Sequence, residues 1–295
     1  MREPLLKEEH FHLAMRHAWP QPHTLRPVMT TTNKTPVLFI SHGAPTFAME
    51  PGLLGPQLQS LGAQLQGIRA VLVISPHWQT RSVVAVMTAA QPQTVHDFGG
   101  FPSELYQLQY PSSGSPDTAK EAARLLDVAG FATQFDERRG LDHGAWVPLM
   151  HLLPRADVPV FQVSMPVQLT PQLALQLGGA LAPLRSQGVL IVGSGSMTHN
   201  LHEIEPPDSA ARAYATEFAK WVQTAILANA VNPVVQYRLE APHAERAHPT
   251  EEHFLPLLVA LGASDTNDSA TLIPGGITHG VLSMDSYVWQ ERSPG

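Results

Sequence analysis

Residues 36–45 read PVLFISHGAP and residues 70–78 read AVLVISPHW, and these two stretches decide the fold. In each, a short apolar run is closed by a turn-forming group that carries a histidine, His42 in the first and His77 in the second. Apolar runs this short, without polar alternation, suit strands covered on both faces. Working outward, residues 58–65 have helical spacing, 83–88 read as a strand, 115–128 as an amphipathic helix and 132–135 as a short strand. A further strand is expected over 159–164, a helix over 170–186 with Thr170 as its cap and Pro171 at its first position, and a buried strand over 189–195. Helices are also expected over 209–228 and 250–261. Strands alternating with helices predict an α/β fold, a single three-layer domain with a mainly parallel or mixed central sheet flanked by helices.

Composition narrows the chemistry. The chain has 295 residues, 43% of them hydrophobic, enough to bury one substantial core. With 18 Lys and Arg against 25 Asp and Glu, the net charge of -7 is the wrong sign for a phosphate-binding surface, and no basic run offsets it, so nucleic acid is not an expected partner. There is no cysteine, which excludes thiolate zinc sites, iron–sulfur clusters and disulfides, and leaves imidazole and carboxylate as metal ligands. Residues 1–35 read as an irregular extension without the apolar segment of a secretion signal. No uncharged apolar run reaches the ~18 residues needed to cross a bilayer. A cytoplasmic protein with no membrane partner is expected; the oligomeric state is not readable.

Fifteen histidines are unusual, but their placement matters more than their number. Several, among them His10 and His23, fall in the irregular extension. His42, His77 and His199 each follow a predicted strand, the last after a Ser-Gly-Ser turn. In parallel sheets the carboxyl ends of the strands form the ligand-binding edge, so these side chains are expected to converge. A lone strand-end histidine is more often structural; three in the same topological position point to a shared site. His253 lies in HPTEEHFLPL (residues 248–257), in the expected first turn of the helix from Thr250, where an imidazole is better placed as a neutral ligand than as a cation. His248, on the same segment, is the alternative ligand. Glu251 and Glu252 are expected to complement the helix dipole.

Two glycine-rich loops also carry histidine, TVHDFGGFP (94–102) with His96, Gly99 and Gly100, and GLDHGAW (140–146) with His143. Glycine permits close backbone approach to a ligand, and an adjacent aspartate tunes imidazole basicity. HExxH, GxxxxGK[ST], GxSxG and a strand-borne GxGxxG are all missing from the sequence.

With those residues in view, the chain resembles the class III extradiol ring-cleaving dioxygenases of the LigB superfamily, most closely the branch that opens 4,5-DOPA. The resemblance spans residues 36–288 and rests on six segments in order: LFISHGAPTFAME, ISPHWQT, HDFGGFPSELYQLQYP, LDHGAWVPLMHLLP, GSGSMTHNL and HPTEEHFLPLL. It implies a catalytic domain over residues 36–290 that cuts a catechol such as L-DOPA beside its hydroxyls to a semialdehyde, with O2 as co-substrate. It implies His42, His77 and His253 as metal ligands, His199 as acid/base and possible fourth ligand, His143 as catalytic helper, and His96, His143, Gly99 and Gly100 as substrate-binding. Fe(II) is the expected cofactor, although Zn(II) also suits three neutral histidines where better-known relatives use two histidines and a glutamate. The alternative is a zinc-dependent hydrolase on a similar α/β scaffold, and a third reading is a binding protein without turnover.

Overall fold

The computed structural model describes residues 34–292, so the expected extension over 1–35 lies almost wholly outside the described residues. The strands are β1 (Val37–Ser41), β2 (Ala70–Thr80), β3 (Val84–Met87), β4 (Thr133–Asp136), β5 (Val160–Pro166), β6 (Val189–Gly195), β7 (Asp268–Ile273), β8 (Ile277–Thr278), β9 (Leu282–Ser283) and β10 (Ser286–Glu291). Eight of them form one sheet in the order β4-β3-β5-β2-β6-β1-β10-β7, while β8 and β9 make a separate small hairpin. The four central strands, β5, β2, β6 and β1, are mutually parallel. Antiparallel pairs flank them, β3 on β5 at one side and β10 on β1 at the other, so the sheet is mixed.

The parallel centre is where the sequence carries its unbroken apolar runs. Every residue from Val37 to Ile40 and from Val71 to Ile74 is wholly buried. The helices are α1 (Leu54–Gln64), α2 (Pro116–Val128), α3 (His143–Leu152), α4 (Pro171–Leu181), α5 (Ala213–Leu227), the short α6 (Val231–Val235), α7 (Tyr237–Glu240) and α8 (Ala244–Ala247), and α9 (Leu255–Ala263). Successive residues of a strand face opposite sides of a sheet. On β6 the Cα of Gly193 abuts the Pro256 carbonyl of α9, and the next residue, Ser194, touches the Gly144 carbonyl of α3. Helices therefore cover both faces, and the single α/β domain has three layers.

Several expected elements shift, each for a local reason. The helix expected over 170–186 is capped by Thr170, whose Oγ1 accepts from the Leu173 N–H at 3.3 Å, but Pro183 lies where it gives way to a 3-10 turn, Ala182–Gln187. The helix expected from Thr250 begins instead at Leu255. Pro256 explains this, because its ring would clash deep inside a helix begun at 250 yet fits the first turn of one begun at 255. Strand β2 does not end at Ser75; it runs on to Thr80 through a break in its register with β5 between Ile74 and Gln79. The second glycine-rich loop is in part a helix, since α3 starts at His143 and tolerates Pro148 inside it. None of the described helices is long and apolar enough to cross a membrane.

Candidate metal centre

His42 leaves the end of β1 and is almost fully buried. Its backbone N–H donates to the Gly195 carbonyl of β6 at 2.9 Å, which fixes where the side chain starts. Its ring is oriented by a relay that begins in α3. Pro148 has no N–H to give the Gly144 carbonyl four residues earlier, so that carbonyl accepts the Ser194 hydroxyl instead. The Ser194 oxygen, its own proton committed, accepts from His42 Nδ1–H at 2.9 Å. Nε2 of His42 therefore carries a lone pair, and it faces Nε2 of His77 at 3.2 Å.

His77 sits in the irregular part of β2, held from both sides by strand pairing, and not at a strand end as expected. Arg139 donates to the His77 carbonyl at 3.3 Å and to the buried carboxylate of Asp142 at 2.8 Å, while its guanidinium lies 5.1 Å from the centre of the Trp78 ring. Gln162 of β5 donates to the same carboxylate at 2.8 Å and accepts from the Asp142 N–H at 3.1 Å. Asp142 is also the residue just before α3, so this network ties the irregular strand to the helix start bearing His143. The rings of His77 and His143 consequently lie 3.9 Å apart.

His253 arrives from the turn before α9, not from its first helical turn, and its carbonyl accepts the Ser196 N–H at 2.9 Å. His199 stacks on it with ring centres 3.5 Å apart and 9° between planes. His253 stands 5.6 Å from His42 and 5.2 Å from His77, centre to centre. Five histidines, His42, His77, His143, His199 and His253, thus form one cluster. Glu252, expected to serve only the helix dipole, instead accepts from His253 Nδ1 at 3.0 Å and from the Thr250 hydroxyl at 2.9 Å. Glu251 accepts from the Tyr237 hydroxyl at 3.0 Å. His248 is buried elsewhere, its Nε2–H donated to the Met197 carbonyl at 2.9 Å and its ring 5.1 Å from that of Phe254.

The arrangement fits a metal ion. Two imidazole nitrogens that share a metal at about 2.0–2.1 Å stand about 3.0–3.4 Å apart at ordinary ligand angles, as the His42 and His77 nitrogens do. Donor atoms of His42, His77 and His143 fall within 4.8 Å of one another, and so do those of His199, Glu252 and His253. Burial pushes His42 and His253 well below the usual histidine range, and holds His77 and His199 at about 4, with neighbouring imidazoles adding to the effect. Neutral imidazole is the form that binds metals. Burial works to raise the Asp97 carboxyl, but the His143 hydrogen bond and charge outweigh it and hold it at about 2.

The remaining expected residues lie further out. His96 gives Nε2–H to the Leu108 carbonyl at 3.0 Å and packs against Phe98 and Trp146, with ring centres 5.7 and 5.5 Å away. Phe98 in turn stands edge-on to His143 at 5.6 Å, so His96 lies behind an aromatic residue and outside the five-histidine group. Gly100 has φ +80°, a conformation natural to glycine, and a Cβ added at it or at Gly99 would meet no atom of the other described residues within 4 Å. A cleft of about 330 Å³ opens near the end of β1, lined by Phe47, Glu50, Leu53, Asp208, His279 and Met284 among others, and none of the five clustered histidines borders it. Ser194, Glu252 and the Arg139–Asp142–Gln162 network were not legible as site residues; only the Asp-His pairing in LDHGAW signals part of them.

Residues 38–280 match the family described as the catalytic LigB subunit of aromatic ring-opening dioxygenase. The chain is 41% identical over 255 residues to a 4,5-DOPA dioxygenase extradiol of Beta vulgaris, covering 84% of this chain and 94% of that one. A protein of the same name from Escherichia coli K12 is 36% identical over 265 residues, covering 88% and 96%. Among solved structures, an uncharacterized protein from Escherichia coli K12 superposes with a TM-score of 0.71 at 32% identity, over 86% of this chain and 99% of that one.

Proposed function

The chain belongs to the LigB family of aromatic ring-opening dioxygenases, and from that premise we propose that it opens catechols related to L-DOPA at a histidine-held Fe(II) centre. The observation that carries this reading is the convergence of five histidines, with His42 and His77 presenting nitrogens 3.2 Å apart. His42, His77 and His253 hold the metal in this proposal, although the donor atoms of His143 group as closely with the first two. When bound, the ion supplies a Lewis-acidic, redox-active position open to catechol oxygens and O2. His199 and His143 flank that position and pass protons to and from the catechol hydroxyls, since an imidazole nitrogen can accept a proton and give it back. Phe98, backed by His96 and the wholly buried Trp146, forms an aromatic wall beside His143 that suits a flat ring. Family membership supersedes the hydrolase and non-catalytic readings.

The test is anaerobic loading with Fe(II) followed by L-DOPA and oxygen. Oxygen uptake with a yellow ring-opened product is expected; no turnover across a panel of catechols sinks the reading. Metal content separates the roles. His42→Ala and His77→Ala are expected to lose metal, and His253→Ala likewise, whereas His199→Ala and His143→Ala keep it and lose most turnover, roughly 100-fold or more for a positioned acid/base. Metal retained by His253→Ala and lost by His143→Ala would reassign the third ligand.

A further inference from the structure

The proposed ligands are all neutral, so a bound divalent cation gains no charge compensation from the residues that would touch it. Among the carboxylates just behind them, Asp97 faces both His77 and His143. Its Oδ1 accepts the backbone N–H of His143 at 2.9 Å and faces His143 Nδ1 at 3.1 Å, and its Oδ2 lies 3.8 Å from His77 Nδ1. A carboxylate only accepts hydrogen bonds, so the proton of neutral His143 is placed on Nδ1 and the lone pair is left on Nε2. The same residue belongs to the loop that carries Phe98, and that loop is pinned to the start of the His143 segment by a parallel bridge between Thr94 and Leu141.

We propose that Asp97 is the positioning residue of this centre, locking His143 as the Nδ1–H tautomer and setting one negative charge beside His77. The proposal rests on the reading of the histidine cluster as a metal site. Carboxylates placed behind imidazole ligands orient the ring and raise its basicity, and their loss weakens metal binding about 10–100-fold. Glu252 stands in the same relation to His253, 3.0 Å from its Nδ1, and lies close to His199 as well, but it belongs to the turn before α9 and not to the loop of Phe98. Asp97 differs by joining two histidines to the loop whose phenylalanine closes the aromatic wall, so ring orientation and the position of Phe98 depend on one side chain.

The experiment compares the wild-type protein with Asp97→Asn, using Asp117→Asn, an exposed site on α2, as control. Two measurements are made: the imidazole tautomers of the apoprotein by long-range proton–nitrogen NMR, and the affinity for Co(II) followed by its visible absorption. Wild type is expected to show His143 protonated on Nδ1. Asp97→Asn is expected to move that proton partly or wholly to Nε2, because asparagine can offer its amide N–H to Nδ1, and to weaken Co(II) binding about 10–100-fold. An Nε2–H tautomer in the wild type overturns the proposal, and that reading needs no variant. Unchanged Co(II) affinity in a folded Asp97→Asn also overturns it. If wild type binds no Co(II) while His143 is Nδ1–H, the metal-centre reading fails and takes the charge role with it, whereas equal binding by both proteins leaves that reading intact and removes Asp97 alone.

Discussion

A methyl group on Gly144 would meet Ser75 Oγ at 2.3 Å and His77 Cδ2 at 3.0 Å. Gly144→Ala should therefore displace His77 from its partner His42, with overpacking that costs about 1–3 kcal/mol of stability and a loss of metal larger than that cost explains. Metal analysis alongside urea denaturation checks it; a variant that keeps its metal and loses only stability would show that the helix, not the histidine, yields. At this scale the sequence points to histidines that the fold does bring together: His42 and His199 come after the parallel strands β1 and β6, while His77 reaches the same cluster from within β2. It was silent about their partners. Asp97 meets His143 across 46 residues and Ser194 meets Gly144 across 50, and pairings of that span follow from the tertiary fold.

Helices α4 and α9 cross so closely that a Cβ on Gly178 would lie 2.0 Å from the Val259 carbonyl oxygen. Backbone cannot give way as a flexible side chain can, so Gly178→Ala is expected to destabilise by about 1–3 kcal/mol while leaving metal content unchanged. A shifted urea midpoint with full metal occupancy is the expected outcome; loss of metal would mean that α9 transmits the displacement to His253. Elements with strong local signals were readable, as β1, β6 and α2 demonstrate. Those that were missed had signals hidden by proline or diluted by polar neighbours. Pro148 masks α3 in AWVPLMHLL, and β10 reduces to the buried trio Tyr287, Val288 and Trp289 among polar residues. Pro256, read as a start signal, would have moved α9 to its true place.

For the whole molecule, the buried imidazoles couple stability to pH. His77 and His199 titrate at about 4 and His248 at about 3 when folded, all below the ordinary 6.5 that the unfolded chain would show. A depressed folded value means that the unfolded chain binds protons first as pH falls. The stabilisation is complete above about 6.5 and is lost progressively down to about 3. The thermal midpoint of the apoprotein is expected to fall across that window, and a flat profile would contradict the burial of these neutral rings. Metal acts in the opposite sense: an ion at 100 times its Kd adds about 2.7 kcal/mol, which for a domain of this size raises the midpoint by roughly 5–10 °C at neutral pH. That gain should vanish with chelator.

The irregularity in β2 bears on how such an ion comes and goes. His77 is not on a dangling end: the strand pairs with β5 before it, up to Ile74, and again after it, at Gln79 and Thr80. His42 is likewise fastened to β6 by its own N–H. If His42 and His77 hold the ion as proposed, ligands anchored in this way are expected to keep their stations when it departs, unlike those of small zinc modules, whose chains unravel without metal. Occupancy is then an exchange reaction in a standing framework. Which ion resides there is then expected to follow supply and donor preference, with the rest of the architecture indifferent to the swap.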